Sequence, residues 1–312
     1  MKVFLAGATG VLGTRLLPLL VAAGHEVVAM TRTTAGAEAL RANGATPAVA
    51  DGLDRDATSA AVAEAKPDVV VHQMTSLKTS INMRKFDDSF ALTNRLRTEG
   101  TDNLLAAARA AGVQRFVVQS YGGWTYERTG SPVKTEDDPL DPSPPASMRQ
   151  TLAAVRHLES AVLSAEGIDG VVLRYGGFYG PGTSVGIGGE LVEAARKRML
   201  PVIGDGAGVT SFVHIDDAAQ ATLLAIESAA PGVYNICDDE PAPASEWVPA
   251  LAEAAGAKPP WHVPRWLGRL AAGEAGVSAF TRTRGAGNAK ARQELGWKPT
   301  YPGWREGFRT GL

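Results

Sequence analysis

The chain has 312 residues, of which 45% are hydrophobic and 21% charged, and a formal net charge of −2. This is the profile of a soluble globular enzyme of one large domain, or of a cofactor domain with a smaller partner, and it lacks the basic footprint needed for nucleic acid or for a membrane surface. The single cysteine, Cys237, excludes an intrachain disulfide and a cysteine-ligated metal cluster, and no apolar run reaches bilayer-spanning length, so a cytoplasmic location is expected.

Residues 2–6 read as a buried strand that runs straight into a Gly-x-x-Gly-x-x-Gly turn at Gly7, Gly10 and Gly13. Gly7 permits the tight turn, Gly10 lets a pyrophosphate approach the backbone, and Gly13 lets the next helix pack closely on the strand. That helix, over 14–23, aims its free N–H groups at the phosphates. Short Val-, Phe- and Leu-rich runs recur at 26–31, 47–50, 68–72, 115–120 and 170–175, with helical patterns at 35–43, 57–65, 87–111 and 149–166. Strand–helix alternation of this kind predicts an α/β fold, a Rossmann-type doubly wound parallel sheet with ligand beyond the carboxyl ends of its strands.

The Pro-rich polar stretch 137–145 is expected to be a loop near the site. After Tyr175 the pattern changes, with Gly and Pro punctuating 176–189, a helix at 190–199, and a strand at 210–215 expected to return to the sheet. Trp247, Trp261, Trp266, Trp297 and Trp304 all fall in the last third and suggest a compact lobe with an apolar face toward the cofactor domain. The expected division is a dinucleotide-binding domain over 1–175, rejoined by 210–237, and a smaller C-terminal substrate lobe from 176–209 and 238–312.

Eight segments, GATGVLG (7–13), ADGLD (50–54), VVVHQMTS (69–76), EGTDNLLAAARAAGVQRFV (99–117), LRYGGFYGPG (173–182), SFVHIDDAAQA (211–221), VYNICDDEP (233–241) and ELGWKP (294–299), taken together resemble the extended short-chain dehydrogenase/reductase superfamily, which includes sugar-nucleotide epimerases and dehydratases. The resemblance implies that Gly7, Thr9, Gly10, Val11, Leu12 and Gly13 hold the pyrophosphate of a nicotinamide dinucleotide. It places Asp51 and Gly52 at the adenine edge, Gln73, Met74 and Thr75 at the adjacent ribose and phosphate, and Tyr175, Gly176, Gly177 and Phe178 beside the nicotinamide. The second strand ends Met30-Thr31-Arg32 without the carboxylate that NAD-preferring enzymes use on the ribose. Thr31 and Arg32 therefore point to NADP, with the guanidinium forked onto the 2′-phosphate of NADPH.

The resemblance also implies a catalytic Tyr and, four residues on, a Lys. Those positions hold Met148 and Leu152, which can neither transfer a proton nor carry a charge. Arg97 replaces a usual Asn, and Thr210 stands where sugar-nucleotide enzymes carry an Arg for the diphosphate, which argues against a nucleotide-diphosphate sugar. Ser120, Tyr121 and Tyr126 at the end of the fifth strand are the candidate catalytic residues. Lys78, Arg84 and Lys85 could face the cleft, and Arg282 or Arg284 could bind an anionic substrate. His72, His157 and His214 are expected to be structural, Asp216 and Asp217 to start a helix, and no metal site is expected.

The expected activity is NADP(H)-dependent redox chemistry on a small organic molecule, without the usual proton donor. Non-redox isomerisation, elimination or cyclisation on the same scaffold, and a non-catalytic NADP-binding sensor, stand as alternatives. A homodimer through the 87–111 and 149–166 helices is expected by analogy alone.

Overall fold

A computed structural model describes residues 1–77 and 81–312. Five parallel strands come first in the chain: β1 (Lys2–Ala6), β2 (Glu26–Thr31), β3 (Thr46–Val49), β4 (Val69–His72) and β5 (Arg115–Tyr121). After the short β6 (Val133–Lys134) come β7 (Asp169–Tyr175), β8 (Gly177–Tyr179), β9 (Val202–Ile203), β10 (Val209–Thr210), β11 (Phe212–His214) and β12 (Gly232–Ile236). The large sheet has seven strands in the order β12-β7-β5-β4-β1-β2-β3, all parallel. Its order reverses beside β1, which puts the ligand crevice at the ends of β1 and β4.

The covering helices are α1 (Val11–Ala22), α2 (Thr34–Ala42), α3 (Arg55–Ala65), the short α4 (Phe86–Ser89) and α5 (Ala91–Arg95), α6 (Thr101–Ala110), α7 (Arg149–Leu163), α8 (Glu190–Arg196) and α9 (Ile215–Ser228). Because side chains alternate along a strand, each buried strand feeds two cores. Val3, Leu5, Val71, Val117 and Leu173 pack toward α1 and α9, whereas Phe4, Val70, Phe116, Val118 and Val172 pack with Leu104 of α6 and Leu158 of α7.

Three expectations about elements are corrected. The strand expected at 210–215 does not join the large sheet: β11 pairs with β8 in a separate two-stranded sheet, and β12 is the strand that returns, beside β7. The helix expected over 87–111 is broken into α4, α5, a π-turn at Leu96–Gly100, and α6. A π-turn inserts one extra residue, which apolar periodicity does not register. The tryptophans also divide: Trp247 and Trp304 fill the lobe core, Trp297 packs in the sheet core with α1, and Trp261 and Trp266 are exposed.

Candidate active site

The N-terminal turn is shaped for a phosphate ligand. Gly7 has φ +94°, and a Cβ there would lie 2.5 Å from the Gln73 carbonyl carbon. A Cβ on Gly13 would lie 2.3 Å from the Gly7 oxygen, so the helix start presses on the turn. Gly10 instead faces outward and caps α1 without a side chain, which leaves the first-turn N–H groups of Val11, Leu12 and Gly13 to an external acceptor. A cavity of about 400 Å³ opens here, lined by Thr9, Gly10, Val11, Thr14, Arg15, Pro181 and Gly182. Sequence reasoning missed Arg15 and the Pro181–Gly182 contribution, because the loop after β8 reaches this turn only in three dimensions.

Arg32 lies just past β2, exposed, and makes no ion pair among the described residues. Thr31 is buried beneath it, and Thr33 caps α2 through its hydroxyl. On the adenine side, Asp51 Oδ1 accepts the Leu53 N–H at 3.0 Å and Asn103 donates to the Gly52 carbonyl at 3.0 Å. Met74 fills the space behind Gly52, where a Cβ would meet its sulfur at 2.5 Å. These contacts fit a dinucleotide lying across the strand ends.

Gln73 is buried; its amide donates to the Tyr175 hydroxyl at 3.3 Å, while its Oε1 has no partner. Thr75 is exposed. Tyr175 is a core residue, with its hydroxyl 2.7 Å from Thr222 Oγ1 and its ring 5.3 Å from that of Phe178. Burial raises its pKa, so it is a wall beneath the crevice. Gly176 and Gly177 let this segment pass close to Ser211 and Phe212, the Cβ of Gly176 falling 2.7 Å from the Ser211 oxygen.

Among the three candidate proton donors, the geometry separates one from two. Successive residues of β5 face opposite sides of the sheet. Ser120 points toward α7 and donates to Glu159 at 2.6 Å. Glu159 also receives Arg174 through two hydrogen bonds, at 2.9 and 2.7 Å. Tyr126 is fully buried, donates to Asn235 at 2.6 Å and accepts from Arg174 at 3.1 Å. Ser120 and Tyr126, expected as catalytic groups, both engage their hydroxyls in a buried polar network with Glu159, Arg174 and Asn235. Glu159→Gln should lower stability by about 1.5–3 kcal/mol, read as a lower urea midpoint, because Arg174 loses its charged acceptor.

Tyr121 faces the other way, half-buried. Its ring lies 6.1 Å from Trp124, Trp124 is edge-on to Phe86 at 5.2 Å, and Phe86 stacks on Phe90 at 4.4 Å. Met148 and Ala275 are buried in the same cluster, with Met83 and Trp124 packed against it. An apolar, largely aromatic wall thus stands where the resemblance would put a phenol. Leu152 is also buried, 1% exposed. Sequence reasoning missed Phe86, Phe90 and Trp124, since single aromatics scattered along a chain give no signal until they meet.

Arg97, on the π-turn, is 7% exposed, and its Nη1 has no hydrogen-bond partner. Its guanidinium sits 6.0 Å from the Phe90 ring centre. Burial lowers its pKa to about 10, with Glu159 opposing that shift, so it is charged at neutral pH. His72 accepts the Met74 N–H at Nδ1 and donates from Nε2 to the Leu96 carbonyl at 3.2 Å, tying the π-turn to the end of β4. Burial, more than the Arg97 charge, holds its pKa near about 4, and its role is structural.

His214 caps α9 and stacks on Tyr301 at 3.9 Å, while His157 bonds Asp102 at the surface. Asp216 and Asp217 start α9, and among the described residues no cluster suited to a metal occurs. Lys78 lies outside the described residues. Arg84 bonds the Leu270 carbonyl at 3.1 Å, Lys85 and Arg282 are exposed, and Arg284 is half-buried with its Nε unpartnered.

The model of the NAD dependent epimerase/dehydratase family matches residues 3–237. The chain belongs to this family. It is 45% identical, over 99% of both chains, to a Streptomyces protein named 3-diazoavenalumate denitrifying reductase. It is also 33% identical, over 82% of this chain and 76% of the relative, to 2-alkyl-3-oxoalkanoate reductase of Stenotrophomonas maltophilia. Among solved structures, the NAD complex of Thermus thermophilus UDP-glucose 4-epimerase aligns with a TM-score of 0.72 at 27% identity, covering 100% of this chain and 97% of that one. Members of the NAD dependent epimerase/dehydratase family thus include reductases, and in this member no described helix is long and apolar enough to cross a membrane.

Proposed function

We propose that this chain is an NADPH-dependent reductase that delivers hydride to a small aromatic acceptor needing no proton from the protein, with an arenediazonium as the class that fits best. The observation carrying this reading is that Met148 and Leu152 are both buried apolar side chains, Met148 within the Phe86–Phe90 cluster. A carbonyl acceptor needs a proton donor, and positioned proton transfer is worth about 10²–10⁴ in rate; a diazonium needs none. Bound NADPH would supply the hydride, so that a ring C–H bond forms, the C–N bond breaks with its electron pair, and N₂ leaves without consuming a proton.

The relative at 45% identity supports the reading, since its name puts a diazo group in that protein's substrate and loss of nitrogen in its reaction. Each part of the site has a task in this chemistry. The Gly7–Gly13 turn and α1 hold the pyrophosphate, and Arg32 takes the 2′-phosphate. Tyr121 and Trp124, half-buried beside the packed Phe86 and Phe90, would place apolar surface against a reactive cation and exclude water from it. A non-redox enzyme or a sensor gains no comparable support from the aromatic cluster or from relatives named as reductases.

The test is incubation with NADPH deuterated at the transferable C4 position and benzenediazonium, against a protein-free control. The expected products are ring-deuterated benzene and N₂. Oxidation no faster than the control, or deuterium absent from the ring, rejects the reaction. Cofactor choice is tested separately. Arg32→Ala should weaken NADPH binding about 10- to 100-fold, the worth of a charge-assisted bond, and NADH binding less than about threefold; equal losses reject the 2′-phosphate contact.

A further inference from the structure

We infer that Arg97 is the anchor for a carboxylate on the acceptor, so that the substrate class is an aromatic acid; this rests on the reading of the cleft as a site for an aromatic acceptor. Arg97 is 7% exposed, and its Nη1 has no partner within the protein. Glu159, the carboxylate whose charge acts on it, is held at both oxygens by Arg174 and at one by Ser120. Arg97, Arg174 and Glu159 therefore carry a net positive charge below the protein surface, and His72 adds no negative charge to offset it. A buried cation with an unmade hydrogen bond is an unfavourable arrangement unless something completes it.

The position identifies what could do so. The π-turn holding Arg97 is fixed to the end of β4 through His72 and Leu96, at the strand ends where doubly wound sheets take ligands. The guanidinium lies 6.0 Å from the Phe90 ring centre, and Phe90 belongs to the wall with Phe86, Met148 and Trp124. A planar ring against this wall brings an attached carboxylate to the fork of Arg97, which matches carboxylate geometry. The relatives' names are consistent with an acid, since diazoavenalumate and 2-alkyl-3-oxoalkanoate are both carboxylates.

The test uses the NADP⁺ complex, in which no turnover occurs, titrated by calorimetry with benzoate, cinnamate and their neutral amides. At least one acid should bind the wild type about 10- to 100-fold tighter than its amide. Arg97→Met should abolish that preference while changing amide affinity less than about threefold, and Arg97→Lys should retain part of it. Without ligand, the Met variant should melt no lower than the wild type, because it removes an unpaired buried charge. The inference is overturned if neither acid is preferred, if the preference survives in the Met variant, or if that variant melts markedly lower, the mark of a structural arginine. Because this titration involves no turnover, absence of an acid preference in the wild type rejects the anchor alone, whereas a wild type that keeps the preference but transfers no deuterium to benzenediazonium or its 4-carboxy derivative rejects the reaction alone.

Discussion

Placing a Tyr and a Lys where the resemblance implies them, as Met148→Tyr with Leu152→Lys, is expected to destabilise the protein strongly and to leave its native activity no higher. Both positions are closed, at 3% and 1% exposure. Met148 packs with Phe86, Phe90 and Ala275, and Leu152 lies on the helix that packs against the π-turn carrying Arg97. An ammonium at 152 would be buried on the helix that packs against the Arg97 turn, where Glu159 is already committed to Arg174 and Ser120. Leaving a buried charge unpaired costs about 3–5 kcal/mol, which lowers the melting temperature by roughly 5–8 °C for a chain of 312 residues. Thermal melts with an assay of NADPH oxidation decide the matter. A variant that melts normally and gains carbonyl reductase activity would mean that the wall is an impaired ordinary site.

Much of the fold was legible because buried parallel strands announce themselves. The runs at 2–6 and 26–31 coincide with β1 and β2, and four more fall within a residue or so of β3, β4, β5 and β7. The glycine turn was equally readable, since Gly7 and Gly13 are forced by backbone contacts that tolerate no Cβ. What the site lacks, on the proposed reading, was legible at Met148 and Leu152, whose apolar side chains stand where the resemblance implies a Tyr and a Lys. Choosing among Ser120, Tyr121 and Tyr126 required knowing which face of β5 meets α7, and a single strand carries no label for its two sides. The importance of Arg97 was hidden for another reason: its register depends on the extra residue of the π-turn, and its lack of a partner is a property of the packed structure. Local rules fail where function is placed, and here the failures cluster around one wall.

Tyr121→Phe is expected to leave diazonium reduction within about threefold of wild type, and the wild-type rate should be flat from ~pH 6 to ~pH 8. Burial pushes the Tyr121 phenol up to about 12. The group is therefore neutral throughout that range, and its proton would titrate only as the pH rises toward the raised value. His72 stays neutral as well, its pKa near about 4 lying below the range. If Tyr121 instead donates a proton to a carbonyl oxygen, its removal should cost about 10²–10⁴ in kcat, with KM changed little. The two chemistries thus separate on one substitution. A small effect with benzenediazonium fits a site that uses the phenol as a wall. A loss of hundredfold or more would restore Tyr121 as the acid and return the substrate to the carbonyl class, because only a developing alkoxide needs the proton that this residue, alone among the three hydroxyls at the end of β5, is free to give.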